Sequence, residues 1–167
     1  MERKLEFANI PEAFKTLDIR SFRLDVYHNE DSRKAIANTC AAIKYYLDSL
    51  EGMRKDGMGL YLYSGTKGSG KTRMAASIAN EMIRTYRMQV KFAGSMQIIN
   101  EIKATWDDKD RSESDLLRAL STVQVLVIDD FGTELPKDWI GERFYSIING
   151  RYQDKLITMY TLSLIHI

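Results

Sequence analysis

The sequence has little cysteine, little histidine and almost no net charge. A single cysteine, Cys40, leaves no second thiol for an internal disulfide, which is typical of a reducing compartment, and we expect it to pack on a helix. The two histidines, His28 and His166, have no partners at metal-binding or catalytic spacing. Because 24 lysines and arginines nearly balance 23 acids, any contact with nucleic acid must come from a local patch.

Long apolar runs are also absent. No stretch approaches the length of a membrane span, and the first fifteen residues carry charges throughout without the apolar segment of a secretory signal. We therefore expect a cytoplasmic protein that has no contact with a membrane. A length of 167 residues, 44% of them hydrophobic and 28% charged, fits one domain with a real core.

Short apolar runs alternate with helical periodicity along the chain. The runs at residues 60–63, 90–93 and 123–128 predict strands, and the β-prone residues 156–167 predict a last one. Strands that alternate with helices indicate an α/β domain with a parallel sheet. Two helix ends are also predicted: a left-handed cap at Gly52, and a capping box that begins at Ser112.

A glycine-rich run directly follows the first predicted strand. It reads Gly65-x4-Gly70-Lys71-Thr72, the P-loop pattern, in which the backbone turns so that N–H groups and the next helix face phosphate oxygens. We expect Lys71 to reach the β- and γ-phosphates of ATP and Thr72 to bind Mg²⁺. The residues expected to bind ATP or ADP are Gly65, Thr66, Lys67, Gly68, Ser69, Gly70, Lys71, Thr72 and Arg73.

A second motif lies about sixty residues later, where an apolar run ends in Asp129 and Asp130. Parallel sheets build their sites at the carboxyl ends of buried strands, so this is the Walker B form. We expect Asp129 to hold Mg²⁺ together with Thr72, and Asp130 to orient or deprotonate the attacking water. Lys71 and Asp130 are therefore the predicted catalytic residues.

With both motifs present, the chain resembles the AAA+ ATPases, and within them the DnaC/DnaI-type helicase loaders and the IstB transposition ATPases. The resemblance is carried by GLYLYSGTKGSGKT at 59–72, VKFAGSMQIINEIK at 90–103 and VLVIDDFGTE at 125–134. It implies a three-layer αβα P-loop fold in which the strand at 156–162 separates the Walker B strand from the P-loop strand. It divides the single domain into a lead-in at 1–52 and a P-loop ATPase core at 53–167.

The resemblance also implies function and partners. Three functions stay open: an ATP-binding helicase loader of DNA replication, a transposition helper of the IstB type, and a non-catalytic nucleotide-dependent binding module. The implied partners are a replicative helicase or a transposase, single-stranded DNA and further copies of the chain. For the DNA, Lys103, Trp106, Lys109 and Arg111 offer charge and one stacking ring, but nearby acids make a solvated turn the competing interpretation.

The chain departs from the family at several points. The family's asparagine sensor is missing, and Ser163 is at best a stand-in. The arginine finger and the helical lid have no counterpart, so we expect a truncated core that binds nucleotide and hydrolyses it slowly. Arg143 and Arg151 are candidates to reach a neighbouring subunit, with plain surface charge as the alternative. The apolar residues implied near the adenine are Ile19, Phe22 and Tyr27.

Overall fold

The structure, a computed structural model, describes residues 2–21, 26, 29–66, 68–107, 112–132 and 137–163. Its centre is a parallel sheet of four strands. They are β1 (Leu60–Ser64), β2 (Val90–Gly94), β3 (Val125–Phe131) and β4 (Ile157–Ser163). Their order across the sheet is β1-β4-β3-β2. The predicted α/β class is therefore confirmed, and so is the predicted place of the last strand between the P-loop strand and the Walker B strand.

Helices cover both faces of this sheet. Alternate residues of one strand enter different apolar clusters: Val125 and Val127 pack on one side, Leu126 and Ile128 on the other. Since successive side chains of a strand point to opposite faces, the clusters lie on opposite sides of the sheet. The α-helices in the described residues are α1 (Glu2–Ala8), α2 (Glu30–Asp48), α3 (Leu50–Asp56), α4 (Lys71–Arg84), α5 (Ser95–Asp107), α6 (Glu113–Thr122) and α7 (Asp138–Gln153).

The lead-in at residues 1–52 contributes to the apolar cluster that contains Val125 and Val127. Ala8 and Ile10 are buried in the same cluster as residues of α4 and β2. Asn80 of α4 donates from Nδ2 to the carbonyl oxygens of Phe14, at 2.8 Å, and Leu17, at 3.0 Å. The backbone of the lead-in is therefore hydrogen-bonded to a helix of the core. The division into a lead-in and a core stays a prediction. No described helix is long and apolar enough to cross a membrane.

Two predicted helix ends differ from the structure. Gly52 lies inside α3, and the left-handed cap is Gly57, with φ of 70°. A Cβ at Gly57 would lie 2.7 Å from the Cα of Lys155, so this is where the chain turns tightly against a neighbouring loop. Ser112 does precede α6, but its side chain caps no backbone N–H and instead lies 2.5 Å from the hydroxyl of Ser114. The predicted capping box is wrong because these two hydroxyls bond to each other.

Arg151 corrects a prediction about charge. It is fully buried in α7 rather than lying at the surface, so neither interpretation of it as an exposed cation is right. Its guanidinium donates to the carbonyl oxygens of Leu120 and Val123, both at 2.8 Å, and of Ile157 at 2.6 Å. It also donates to the hydroxyl of Thr158 at 2.9 Å. Burial lowers the pKa of Arg151 to about 10, which still leaves it charged at neutral pH.

Candidate functional site

The glycine-rich loop runs from the end of β1 into the first turn of α4. Gly68 and Gly70 have φ of 72° and 88°, in the left-handed region that side chains other than hydrogen disfavour. Gly70 is the residue before α4, and no side chain caps this helix end. The first backbone N–H groups of a 14-residue helix are thus left to face the loop, an arrangement that suits an anion. Lys67 lies outside the described residues.

Lys71 lies along the inside of this loop. Its Nζ donates to the carbonyl oxygen of Thr66 and to the hydroxyl of Ser69, both at 3.3 Å. The loop is also held at its start, where the backbone N–H of Thr66 donates to the hydroxyl of Ser64 at 3.2 Å. The structure therefore brings a positive charge and the N-terminus of α4 to the same concave backbone.

Asp129 lies at the end of β3, close to the first turn of α4. Only 9% of the residue is exposed. Burial raises the pKa of its carboxyl, and the hydrogen bonds with the side chains of Thr161 and Thr72 act in the opposite direction. The bond from Thr161 Oγ1 to Oδ1 measures 2.6 Å. The structure thus brings Thr72 and Asp129 into contact, although they are far apart in sequence and on different elements.

Asp130, the next residue, has a different environment. Its side chain is exposed, and its φ of 51° lies in the left-handed region. The register between β3 and β4 is irregular at this point, as in a β-bulge. Its backbone is held on both sides: its N–H donates to Thr161 Oγ1 at 2.9 Å, and its carbonyl oxygen accepts from Ser95 Oγ at 2.9 Å.

Sequence reasoning missed Thr161 and Ser95. Both are buried polar residues that touch the acidic pair. The only signal in the sequence was a hydroxyl residue at the end of each neighbouring strand, which is common for other reasons. The predicted stand-in for the sensor, Ser163, pairs in register with Ser64 where β1 enters the glycine-rich loop. It therefore lies beside that loop, whereas the residue of β4 that contacts the acids is Thr161.

The oxygen groups at this site fit a metal ion that is held partly by the protein and partly by the phosphates of a bound nucleotide. Among the described residues, no group of three or more His, Cys, Asp or Glu side chains is placed to hold a metal ion. The Thr72 hydroxyl and the Asp129 carboxylate nevertheless lie together beside the loop. Mg²⁺ prefers oxygen ligands and is usually held by one or two carboxylates together with substrate phosphates, so these two residues fit it.

A cavity of about 500 Å³ adjoins the loop. One wall is formed by α2, through Ser32, Ile36 and neighbouring residues, and another by Tyr61 and Tyr63 of β1. Ile19, which the family resemblance placed near the adenine, packs against the apolar cluster of the lead-in and α4. Phe22 and Tyr27 lie outside the described residues.

The segment predicted to contact single-stranded DNA is partly described. Trp106 is 56% exposed, and its ring meets Trp139 edge-on with centroids 5.1 Å apart. Its Nε1 donates to Glu113 at 3.0 Å, and Glu113 also pairs with Arg143. The Trp106 hydrogen bond, followed by Arg143, lowers the pKa of Glu113. Arg143 is thus paired within the chain, and Lys109 and Arg111 lie outside the described residues.

Comparison with known proteins gives consistent matches. The family described as "IstB-like ATP binding protein" matches residues 46–164. Phage-like element PBSX protein XkdC of Bacillus subtilis strain 168 is 29% identical over 160 residues, covering 91% of this chain and 56% of that protein. Replicative helicase loader DnaC of Escherichia coli strain K12 is 27% identical over 118 residues, covering 71% of this chain and 46% of DnaC. The chain thus spans about half the length of these relatives.

A solved structure agrees with these matches. The crystal structure of the DnaC helicase loader superposes with a TM-score of 0.69 at 25% sequence identity. The superposition covers 87% of this chain and 78% of that one. The parallel sheet and its flanking helices are therefore similar to those of the DnaC helicase loader.

Proposed function

Because the chain belongs to the family of IstB-like ATP-binding proteins, we propose that it binds ATP with Mg²⁺ and acts in DNA replication as a protein of the helicase-loader type. The observation that carries the proposal is the contact between Thr72, which follows the glycine-rich loop, and Asp129, at the end of β3. Two elements that meet only in the folded chain thereby supply a phosphate cradle and a metal-binding carboxylate. Similarity to replicative helicase loaders supports the role in replication.

The loop would hold the phosphates of ATP. Backbone N–H groups from residues 65–73 and the N-terminus of α4 supply donors, and Lys71 supplies charge to the β- and γ-phosphates. The bonds of Lys71 to Thr66 and Ser69 are 3.3 Å long, at the weak end of the hydrogen-bond range. Hydrogen bonds from the ammonium to charged phosphate oxygens are stronger than these bonds to a neutral carbonyl and a hydroxyl. We therefore expect Lys71 to exchange its present partners for the triphosphate.

The two acids have separate roles in this proposal. The Thr72 hydroxyl and the Asp129 carboxylate would hold Mg²⁺, which when bound neutralises charge on the β- and γ-phosphates. Asp130 is exposed and lies one residue beyond Asp129, so its carboxylate is accessible to the attacking water, which it would orient or deprotonate. The cavity between the loop, α2 and β1 is the space we assign to the nucleoside.

The partners follow from the same relatives. We propose a replicative helicase as the protein partner, rather than the transposase of an IstB-type helper, because the relatives named by activity are helicase loaders. We also propose that several copies of the chain assemble, and this part of the proposal is supported by the family resemblance alone. Single-stranded DNA would stack on Trp106, because more than half of the surface of this residue is exposed.

The first prediction concerns Lys71→Ala. Removing the ammonium should weaken binding of ATP by at least about tenfold, since charge-assisted hydrogen bonds to the phosphates are lost. Isothermal titration of the chain with Mg-ATP measures this. Lys55→Ala, which removes an exposed lysine from the last turn of α3, is the matched control. Equal affinity in Lys71→Ala and the unaltered chain would show that the loop is not the ATP site.

The second prediction separates an ATPase from a binding module. Asp130→Asn removes the proposed base and should lower steady-state ATP turnover by about a hundredfold, with ATP affinity within about twofold of the unaltered chain. Turnover is measured with Mg-ATP, with and without single-stranded DNA. Turnover that Asp130→Asn leaves intact would rule out this carboxylate as the base. Normal ATP binding with no turnover in either protein would favour the non-catalytic module.

A further inference from the structure

β3 contains an extra residue at the acidic pair, because two of its residues lie there opposite a single residue of β4. The register pairs Ile128 with Tyr160 and Phe131 with Leu162. Between these pairs, the two acids of β3 stand opposite a single residue of β4, Thr161. In a regular strand, successive side chains point to opposite faces, and a bulge breaks this alternation.

Thr161 contacts both acids with one hydroxyl. Its Oγ1 donates to Asp129 Oδ1 at 2.6 Å and accepts the backbone N–H of Asp130 at 2.9 Å. The residue is fully buried, so few other partners compete for its hydroxyl. Both the donor and an acceptor position of this hydroxyl are therefore used at the bulge.

Ser95 holds the other side of the same bulge. It is the first residue of α5, directly after β2, and it is 1% exposed. Its Oγ donates to the carbonyl oxygen of Asp130 at 2.9 Å. The φ of 51° at Asp130 is unfavourable for a residue with a side chain, and such a conformation persists only where the surroundings hold it. Ser95, at the start of α5, and Thr161, in β4, supply that hold from the two sides of β3.

We propose that Thr161 and Ser95 are positioning residues that lock this bulge and thereby direct consecutive carboxylates, Asp129 and Asp130, to one nucleotide site. The inference rests on the proposed binding of Mg-ATP for its functional part, and on the contacts of the bulge for its structural part. Thr161 acts on the metal-binding acid directly and on the proposed base through the backbone. Ser95 acts on the backbone of Asp130 through its bond to the carbonyl oxygen.

The first readout needs no nucleotide. Thr161→Val keeps the branched shape and removes the hydroxyl, whereas Thr161→Ser keeps the hydroxyl. Amide hydrogen exchange, followed by NMR on the unliganded chain, should be at least about tenfold faster at Asp130 in Thr161→Val, because its N–H loses its acceptor. Thr161→Ser should restore protection. Thr122→Val, which removes an exposed hydroxyl at the end of α6, is the control.

The second readout is the effect of Mg²⁺ on affinity for a fluorescent ATP analogue, measured with Mg²⁺ and with EDTA. In Thr161→Val, the gain in affinity on adding Mg²⁺ should fall by about tenfold, the usual scale for removing a hydrogen bond to a metal-binding side chain. Affinity in EDTA should stay within about twofold, since the loop is unchanged. Ser95→Ala should keep the Mg²⁺ gain and lower turnover, and Ser77→Ala, a buried serine that bonds within α4, is its control.

The outcomes separate the two proposals. Failure of the unaltered chain to bind the analogue would overturn the proposed function, and the exchange data would still decide whether Thr161 locks the bulge. Unchanged exchange at Asp130 in Thr161→Val would overturn the lock. Faster exchange with an unchanged Mg²⁺ gain would overturn the claim that the bulge positions Asp129. If Thr161→Val fails to fold, Ser95→Ala decides: unchanged exchange around Asp130 together with unchanged turnover overturns the inference.

Discussion

Asp129 is an ionisable group in a place that disfavours its charge. Burial raises the pKa of its carboxyl above the ordinary 3.8, and the bonds with Thr161 and Thr72 offset only part of this effect. The folded chain therefore binds a proton at this site more tightly than the unfolded chain does. The corresponding stability is present below pH 3.8 and is lost as the pH rises through the folded-state pKa. A buried carboxylate that weakens the fold at neutral pH is typical of a functional site.

At the residue scale, Asp129→Asn should stabilise the chain at pH 7 while weakening Mg²⁺-dependent ATP binding. The amide keeps an acceptor for Thr161 and removes the buried charge, so the free energy of unfolding should rise. The gain should shrink as the pH falls toward 3.8, because the wild-type carboxyl becomes protonated in the folded chain over this range and the buried charge is lost. Urea unfolding in EDTA at pH 7 and pH 4 measures this.

The control is Asp56→Asn, which changes an exposed acid at the end of α3 and should alter the free energy of unfolding by no more than about 0.5 kcal/mol. A less stable Asp129→Asn chain at pH 7 would contradict this account. So would a gain in stability that is as large at pH 4 as at pH 7.

At the scale of elements, Arg151 joins three parts of the chain. From α7 it reaches the end of α6, the start of the connection to β3, and the first residues of β4. Three of these acceptors are backbone carbonyl oxygens, and each receives a hydrogen bond from the buried guanidinium. It is buried by its role in packing, and it is unavailable to a neighbouring subunit.

Arg151→Met should therefore lower the free energy of unfolding by at least about 2 kcal/mol, since buried carbonyl oxygens lose their donors. Urea unfolding measures the loss. Arg118→Met is the matched control, because Arg118 is exposed on α6 and pairs only loosely with Asp115, and it should cost about 0.5 kcal/mol or less. Similar stabilities for the two variants would show that the hydrogen bonds of Arg151 do not stabilise the packing of α6, α7 and β4.

The sequence could predict the elements whose signals are local. The glycine-rich loop, the apolar run before Asp129 and the strand at the chain's end are each visible in a short window. Thr161, Ser95 and Arg151 could not be predicted in the same way, because their partners lie about thirty residues away or on another strand. Gly52 was mistaken for a helix end because the chain resumes a helical course after Ser49 and turns only at Gly57.

At the scale of the whole molecule, the site exists because three parallel strands end side by side. β1 leads into the glycine-rich loop, β3 carries the two acids near its C-terminal end, and β4 lies between these strands and supplies Thr161. Inserting the last strand of the described sheet between the first and third is what joins the loop to the acids. The site therefore depends on completed tertiary structure, and no isolated segment of the chain contains it.

The most direct test is a crystal structure of the chain with a non-hydrolysable ATP analogue and Mn²⁺ in place of Mg²⁺, the anomalous signal of Mn²⁺ locating the metal. We predict the triphosphate in the loop at residues 65–72, the side chain of Lys71 against the β- and γ-phosphates, and one metal peak between the Thr72 hydroxyl and the Asp129 carboxylate. A triphosphate bound elsewhere, a loop without nucleotide at saturating analogue, or a metal away from Asp129 would contradict the account.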